Sequence, residues 1–309
     1  MNSDAGRLML LDTASMYFRA FFGAPEAPAP DGTNVNAVRG MLSYISQLVD
    51  QYRPTHLVCC WDEDWRPGWR VELLPTYKAH RVVEAVPAGP DVEEVPDPLE
   101  AQLPIILDVL AAYGIAVVGA PEHEADDVIG TLATDAGMPV DVVTGDRDLF
   151  QLVDDDAGVR VLYIGKGVGR HERVDESWVL EKYGVAARQY ADFATLRGDP
   201  SDGLPGVKGV GEKTAATLLQ RFGDLPSLVA AAGDPASDLA PGPRGKIKEA
   251  ADYLLVAPKV VAVVRDLDLP RGDALALPSA PADPDALDAL VERWGLGSPA
   301  ERLTKVLAG

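Results

Sequence analysis

The sequence predicts an α/β fold built on a parallel sheet and continued by an all-helical region. Two observations carry the first part. Four apolar runs are separated by longer helical patterns, the mark of buried parallel strands, and each run leads to acidic residues. One observation carries the second part: from about residue 185 to 264 only helical spacing is present.

The elements follow in order. Leu8-Met9-Leu10-Leu11 runs into Asp12, and His56 to Trp61 runs into Asp62. Between them, Val38, Met41, Leu42, Ile45, Leu48 and Val49 keep the helical period over 36–52. Residues 98–113 do the same. Ile115 to Val118 lead through a short turn to Glu124, Asp126 and Asp127, with Val128, Ile129, Leu132 and Ala133 on the helix that follows. Val140 to Thr144 lead through Gly145 to Asp146 and Asp148. Val159 to Ile164, Gly165 to Gly169 and the return to Val174 predict a late strand and hairpin. Residues 64–98 show no period and read as an insertion, which in a compact domain is usually functional or disordered. Residues 276–284, rich in Ala and Pro, read as a surface connection. No repeat of solenoid period is present.

The acids define the first candidate site. In open parallel sheets, sites form outside the carboxyl ends of the strands, and Asp12, Asp62, Glu124, Asp126, Asp127, Asp146 and Asp148 all fall there. Carboxylates crowded together resist ionising side by side unless a positive charge lies among them. Oxygen donors of this kind suit hard divalent cations, Mg²⁺ or Mn²⁺. The plainer readings are dipole partners in a first helical turn for 124–127 and a helix cap for Asp148. An aspartate nucleophile at Asp12 is disfavoured, because Ala14 stands where the acid/base partner belongs. Gly198-Asp199-Pro200-Ser201-Asp202-Gly203 is a turn by composition and adds Asp199 and Asp202 beside the metal site.

The second candidate site is Gly206-Val207-Lys208-Gly209-Val210-Gly211-Glu212-Lys213-Thr214. Glu212 breaks the Gly-Lys-Ser/Thr succession that a nucleotide-binding P-loop requires. A glycine hairpin between two helices fits better: it lets a phosphate approach backbone N–H groups at a helix start and grips a nucleic-acid backbone without reading its sequence. Gly206, Lys208, Gly209, Gly211, Lys213 and Thr214 are its expected DNA contacts. Basic residues gather locally: Lys208, Lys213 and Arg221 against Glu212 over 203–222, and Arg244, Lys246 and Lys248 with no acid over 243–248. Lys78, His80 and Arg81 lie in the insertion with Arg66 and Arg70.

Composition sets the outer limits. The 309 residues, 47% hydrophobic and 25% charged, describe an ordinary globular chain long enough for two modest domains. The net charge of −20 is unlike that of a nucleic-acid binder, but part of it is the acid cluster that bound cations offset. Cys59 and Cys60 are neighbours on a strand and point to opposite faces, as two buried apolar groups. The four histidines lack zinc-ligand spacing, and no Ser/His/Asp or Cys/His arrangement is present. Residues 1–6 carry no signal-peptide pattern, and no apolar run is long enough to span a membrane. A cytoplasmic protein is the expectation.

Taken together, these motifs resemble the 5′-nuclease family: flap endonucleases, phage 5′-exonucleases and the 5′–3′ exonuclease domain of bacterial DNA polymerase I. The resemblance rests on Leu11-Asp12, Trp61-Asp62, Tyr77 to Arg81, Glu124 to Ile129, Thr144 to Leu149 and Gly198 to Ala215, in that order, and weakens after about residue 265. It implies a PIN-like nuclease domain over 1–184 with a helical arch at about 64–98. A helix–three-turn–helix (H3TH) duplex-binding region follows over 185–265, and a C-terminal extension over 266–309 packs on the core. It implies two divalent cations held by the nine acids Asp12, Asp62, Glu124, Asp126, Asp127, Asp146, Asp148, Asp199 and Asp202. By the same resemblance Arg19 lies near the scissile phosphate, Lys78 and Arg81 are basic residues of the arch, and the hairpin's carbonyls hold a K⁺ ion.

The implied activity is structure-specific 5′–3′ exonuclease and 5′-flap endonuclease hydrolysis of DNA by a two-metal mechanism, in replication and repair. The implied partners are duplex DNA with a 5′ flap or 5′ end and an RNA–DNA hybrid. A monomer at the nucleoid, with no polymerase module after Gly309, is expected. The chain departs from the family pattern in a longer, acidic stretch over 82–98, and in Gly203 where bacterial relatives commonly have Asn. Tyr17 and Phe18 both lie near a family tyrosine. Two other readings are a DNA-binding module without nuclease activity, disfavoured by the complete acid set, and a single-strand ribonuclease, which leaves the hairpin unexplained.

Overall fold

A computed structural model describes residues 6–84, 91–93 and 95–309. The strands in chain order are β1 (Leu8–Asp12), β2 (His56–Cys60), β3 (Val82–Glu84), β4 (Val92–Glu93), β5 (Ala116–Val118), β6 (Val140–Thr144), β7 (Val159–Tyr163) and β8 (Glu172–Val174). Six of them form the main sheet in the order β5-β2-β1-β6-β7-β8. β5 to β7 run parallel across it, and β8 closes the edge antiparallel to β7. The chain winds one way from β1 to β5 and then returns to β6 on the other side of β1. The crevice where a doubly wound sheet binds ligands therefore lies between β1 and β6.

The strands divide the core between the two faces, as their period of two requires. Leu8, Leu10, Val58, Cys60, Val140 and Val142 pack on one face, and Met9, Leu11, Leu57, Cys59 and Val143 on the other. The two cysteines separate as expected. Asp141 is a carboxylate inside strand β6, and it is fully buried. Arg7 donates to it at 2.8 Å and Arg160 at 2.6 Å, so the buried charge is paired.

The second face is covered by α1 (Thr13–Gly23), α2 (Asn36–Tyr52) and α5 (Leu103–Tyr113). All six apolar positions that set the period of α2 are buried. Pro104 near the start of α5 follows a separate short helix, α4 (Asp97–Glu100), so the single helical pattern over 98–113 becomes two pieces. The C-terminal helices α13 (Pro284–Trp294) and α14 (Gly297–Leu307) join this layer through Leu287, Trp294, Leu296, Ala300 and Leu303. The connection before them is not wholly at the surface. It pairs with the start of β2, where Leu277 N–H donates to the Thr55 carbonyl at 2.9 Å.

The first face carries α6 (Ala125–Ala133), and against it α7 (Glu176–Tyr183), α8 (Tyr190–Arg197), α9 (Glu212–Phe222), α10 (Leu225–Gly233), α11 (Pro241–Glu249) and α12 (Ala251–Val261). One continuous apolar cluster runs from Leu8 and Val128 through Phe150, Tyr190 and Phe193 to Leu219, Leu228 and Ile247. The helical region thus continues the core of the sheet, and a smaller cluster of Tyr77, Ala194, Leu204, Val260 and Val261 joins it to the insertion.

The insertion differs from the expected arch. Among the described residues its helix is the six-residue α3 (Gly68–Leu73), followed by a 3₁₀ turn at Ala79–Arg81 and the β3–β4 hairpin. Residues 85–90 and 94 of the acidic stretch lie outside those described. The missing period has a physical reason: this segment is pinned by charged side chains and by a few apolar anchors, Tyr77 with Leu73 and Leu74, that follow no helical stripe. Arg66 donates to the Tyr77 carbonyl at 2.6 Å and pairs with Asp91; Arg70 is 2% exposed.

Candidate active site

The strand ends deliver their acids to one cleft of about 240 Å³, lined by Asp12, Asp62, Glu124, Asp126 and Asp146 together with Glu93, Lys78 and Arg81 of the insertion. Asp12 ends β1 and caps α1, accepting from Ser15 N–H at 3.0 Å. Its other oxygen accepts from the Thr144 hydroxyl at 2.6 Å, and the same hydroxyl accepts from Asp146 N–H at 2.8 Å. Thr144 therefore ties together the two strands that flank the crevice. Sequence reasoning passed over it, because a threonine closing a strand carries no signal of its own. Asp62 accepts from Ala125 N–H at 2.7 Å, which fixes the start of α6 against the end of β2.

Adjacent acids in the 124–127 segment have unlike surroundings. Glu124 accepts from the Tyr77 hydroxyl at 2.9 Å and the Lys78 ammonium at 2.9 Å. Asp126 faces the cleft. Asp127 is turned away from it and fully buried. Arg70 donates to its two oxygens at 2.8 Å each, and Val264 N–H adds a contact at 2.9 Å. Asp127 also completes the capping box of α6. Both its oxygens are engaged by Arg70, and it does not line the cleft that Asp126 faces. The helix-start reading fits Asp127, and Glu124 at the N-cap of α6 shares that role. Arg66 and Arg70, counted above as local positive charge for a phosphate, are likewise turned inward.

Beyond Asp146 lies a second group. Asp146 accepts from Asp148 N–H at 2.8 Å, so Asp146 and not Asp148 is the acid that organises the turn. Asp148 is buried, and its Oδ1 has no hydrogen-bond partner among the described residues. Asp199 accepts from Arg197 at 3.2 Å and Asp202 from Arg81 at 3.3 Å. Arg197 was absent from the sequence reading, and it also reaches Glu212 at the start of α9 at 3.6 Å. Gly203 has φ +70, and a Cβ there would stand 2.0 Å from the Thr76 carbonyl. The bare glycine lets the insertion close on this turn, where Lys78 N–H donates to the Asp202 carbonyl at 3.0 Å.

The electrostatics follow the grouping. Burial pushes the Asp126 carboxyl well above its usual range, and Asp146, Asp12 and Glu124 add to the rise. Burial does the same to Asp148, helped by Asp146, Asp202 and Asp199. Asp62 is pushed up to about 7, mainly by burial. Burial opposes the charge on Lys78, but the Glu124 carboxylate outweighs it and holds the ammonium well above its ordinary value. Arg19 stands on α1 one turn after Ser15, near the Gly145 turn, with its Nε buried and without a partner among the described residues.

As they lie, no three of the described carboxylate, imidazole or thiol groups stand close enough to share one ion. Mutual repulsion and the competing hydrogen bonds account for the spread. The donor chemistry nevertheless fits hard divalent cations: every donor is a carboxylate oxygen, burial pushes Asp62, Asp126, Asp146, Asp148 and Asp202 upward, and the buried Asp148 Oδ1 is unpartnered among the described residues.

The hairpin lies between α8 and α9. Gly206 has φ +66, and a Cβ on it would stand 2.5 Å from the Arg197 carbonyl, so the close return of the chain requires glycine there. Val207 and Val210 are buried anchors, while Lys208, Gly209, Gly211 and Lys213 are exposed and Thr214 is half-buried. α9 starts at Glu212 with no side-chain cap. Its first N–H groups therefore face outward. Of the basic residues grouped with the hairpin, Arg244 is turned inward, donating to the carbonyls of Ala231, Ser237 and Leu239. Lys246 donates to the Gly209 carbonyl at 2.7 Å.

A carboxylate cleft at the switch point of a parallel sheet, beside a glycine hairpin on a shared core, defines an α/β protein of the PIN-like fold class. Residues 7–184 match the 5′-3′ exonuclease N-terminal resolvase-like domain, and residues 185–283 match the 5′-3′ exonuclease C-terminal SAM fold. The chain belongs to the 5′–3′ exonuclease family. It is 61% identical over 300 residues to a 5′-3′ exonuclease of Streptomyces coelicolor, covering 97% of this chain and 99% of that one. It is 50% identical to a 5′-3′ exonuclease of Mycobacterium tuberculosis, covering 97% of each. In fold it is similar to a bacteriophage T5 flap endonuclease variant solved with DNA and metal ions. The TM-score is 0.64 at 16% identity, covering 98% of both chains.

Proposed function

We propose that this family member removes nucleotides from 5′ ends and cuts 5′ flaps on duplex DNA, and removes RNA from a hybrid, using two Mg²⁺ or Mn²⁺ ions. The reading is supported above all by the two carboxylate groups that meet at Asp146. Asp12, Asp62, Glu124 and Asp126 would serve one ion, and Asp148, Asp199 and Asp202 the other, with Asp146 between them. Bound there, the ions would supply Lewis-acid stabilisation and a water of lowered pKa.

The chain's own residues hold the substrate. Lys78 and Arg81 line the cleft among the acids and offer charge to a phosphate. Arg19, whose guanidinium lies near the Gly145 turn, offers a further donor. Lys208, Lys213 and the N–H groups at the start of α9 grip the duplex backbone without reading bases. Such a protein acts as a monomer in the cytoplasm, on the nucleoid.

The test is 5′-flap DNA labelled at its 3′ end and incubated with Mg²⁺, Mn²⁺ or EDTA. Metal-dependent cutting near the flap junction is the expected result. A retarded band on a gel without cutting under any metal would replace the nuclease with a binding module. Cutting of single strands alone would shift the substrate away from the duplex.

A further inference from the structure

We propose that Gln151 is a positioning residue for the second carboxylate group. It ties Asp148 to the segment that leaves α12, and the same segment is braced against the first group through Asp127 and Arg70. The inference rests on the two-ion reading of the cleft.

α12 ends at Val261, and Ala262 turns the chain into extended backbone. The last carbonyls of a helix need partners from outside it, and here the acid-bearing half of the molecule provides them. The Val260 carbonyl accepts from Arg70 Nε at 3.1 Å, and the Val261 carbonyl from the Gln151 side-chain amide at 3.1 Å. The next backbone groups run to the same two places. Val263 N–H donates to the Gln151 side chain at 3.1 Å, and Val264 N–H to Asp127 at 2.9 Å. On α6, Gly130 leaves room for the segment, since a Cβ there would stand 2.6 Å from the Val264 carbonyl.

The other ends of these side chains reach the acids. Arg70 holds Asp127 in the first turn of the helix that carries Glu124 and Asp126. Gln151 is buried in the 3₁₀ turn Asp148–Leu152, and its amide nitrogen also donates to the Asp148 carbonyl at 2.8 Å. A carboxamide offers two N–H donors and one acceptor oxygen. Two carbonyls and one N–H surround Gln151, so they fix which way its amide points. Asp148 itself is placed through its backbone: its N–H donates to Asp146 at 2.8 Å, its carbonyl accepts from Gln151, and its Oδ1 has no partner among the described residues. Groups that orient a ligand in this way govern how well it holds an ion.

The experiment is the Mn²⁺ isotherm of the full chain without DNA, read from the paramagnetic resonance signal of free Mn²⁺, beside urea unfolding. Wild type is expected to hold two ions. Gln151→Met fills the space without the amide. It is expected to weaken one ion about tenfold and to leave the other within about twofold. In an Asp148→Asn background it is expected to add no further loss. Thr131→Val loosens the same segment elsewhere, where the Thr131 hydroxyl donates to the Val264 carbonyl at 3.2 Å, and is expected to leave both ions as in wild type. Should Gln151→Met not fold, Val263→Pro removes the N–H that Gln151 accepts. The extended Ala262 before it suits a proline, and the same ion is expected to weaken.

Two ions held by wild type and equally well by Gln151→Met, at whatever cost in stability, overturn the proposal alone and leave Gln151 a core side chain. Equal weakening of both ions overturns it, as does an equal effect of Thr131→Val, because either is a general loosening. A further loss on top of Asp148→Asn shows that Gln151 does not act through Asp148, and overturns it too. Fewer than two ions on wild type defeats the two-ion reading and the proposal with it.

Discussion

The acid cleft and the glycine hairpin, both assigned to phosphate in the proposed function, are built in opposite ways. The cleft is made of buried side chains whose partners lie far off in sequence: Glu124 meets Tyr77 and Lys78, and Asp127 meets Arg70 and Val264. The hairpin is made of backbone conformation within a few residues, and its cations stand in solvent. The difference is one of dielectric. Charges removed from water must be matched group by group, whereas exposed charges near a backbone loop act additively and are screened by salt.

That contrast is broken most forcefully at the cleft. Asp126→Ala or Asp146→Ala should lower the cleavage rate on flap DNA by on the order of a thousandfold, with duplex affinity in EDTA nearly unchanged. Single-turnover rates beside gel-shift affinities check this. A variant that still cuts at the wild-type rate would remove its acid from the cation set.

Next in size is the buried pair behind the cleft. Arg70→Met leaves Asp127 charged and unpaired in the interior, and should cost about 3–5 kcal/mol of stability, read from urea unfolding. The double variant with Asp127→Leu should recover much of that loss. Equal losses in the single and double variants would show that Asp127 does not depend on Arg70.

A smaller effect sharpens the electrostatic side. Asp62, Asp126 and Asp148 have folded-state pKa values raised above their unfolded ones. The folded, metal-free protein therefore binds more protons than the unfolded chain. The stability these groups contribute is present below the unfolded carboxylate range and is lost as pH rises through the folded values, which for Asp62 is about 7. The metal-free protein should thus lose stability from about pH 4 to 7 on account of these groups. The stabilisation conferred by Mn²⁺ should grow over the same interval. Thermal melts with and without Mn²⁺ check both, and a Mn²⁺ shift independent of pH would contradict the assignment.

The smallest effect belongs to the hairpin. Lys213→Ala should leave stability within about 0.5 kcal/mol, weaken duplex binding severalfold and reduce the salt slope by about 0.9. A steep, unchanged slope would take Lys213 out of the phosphate contacts.

The same contrast explains what could be read from the sequence. Strand ends, acids and glycine turn are local patterns, and each was legible as written. The divergence of Asp126 and Asp127 was not, because it is decided by an arginine 57 residues away. Arg66, Arg70 and Arg244 looked like solvent-facing charge; burial against carboxylates and carbonyls is a tertiary event that no spacing announces. The insertion hid its structure for the same reason, being held by ion pairs where an apolar period would have shown. Thr144 opens a motif without showing its role there and Arg197 lies just outside one, though both support the acids.

One feature of the core sets a dimension of the reaction. The apolar cluster that begins beneath β1 continues without interruption to Leu219 under α9. Cleft and hairpin are therefore carried on one core, like two jaws of a calliper. On the proposed function, a duplex seated against the hairpin would present its phosphate to the acids at a distance set by the protein's interior.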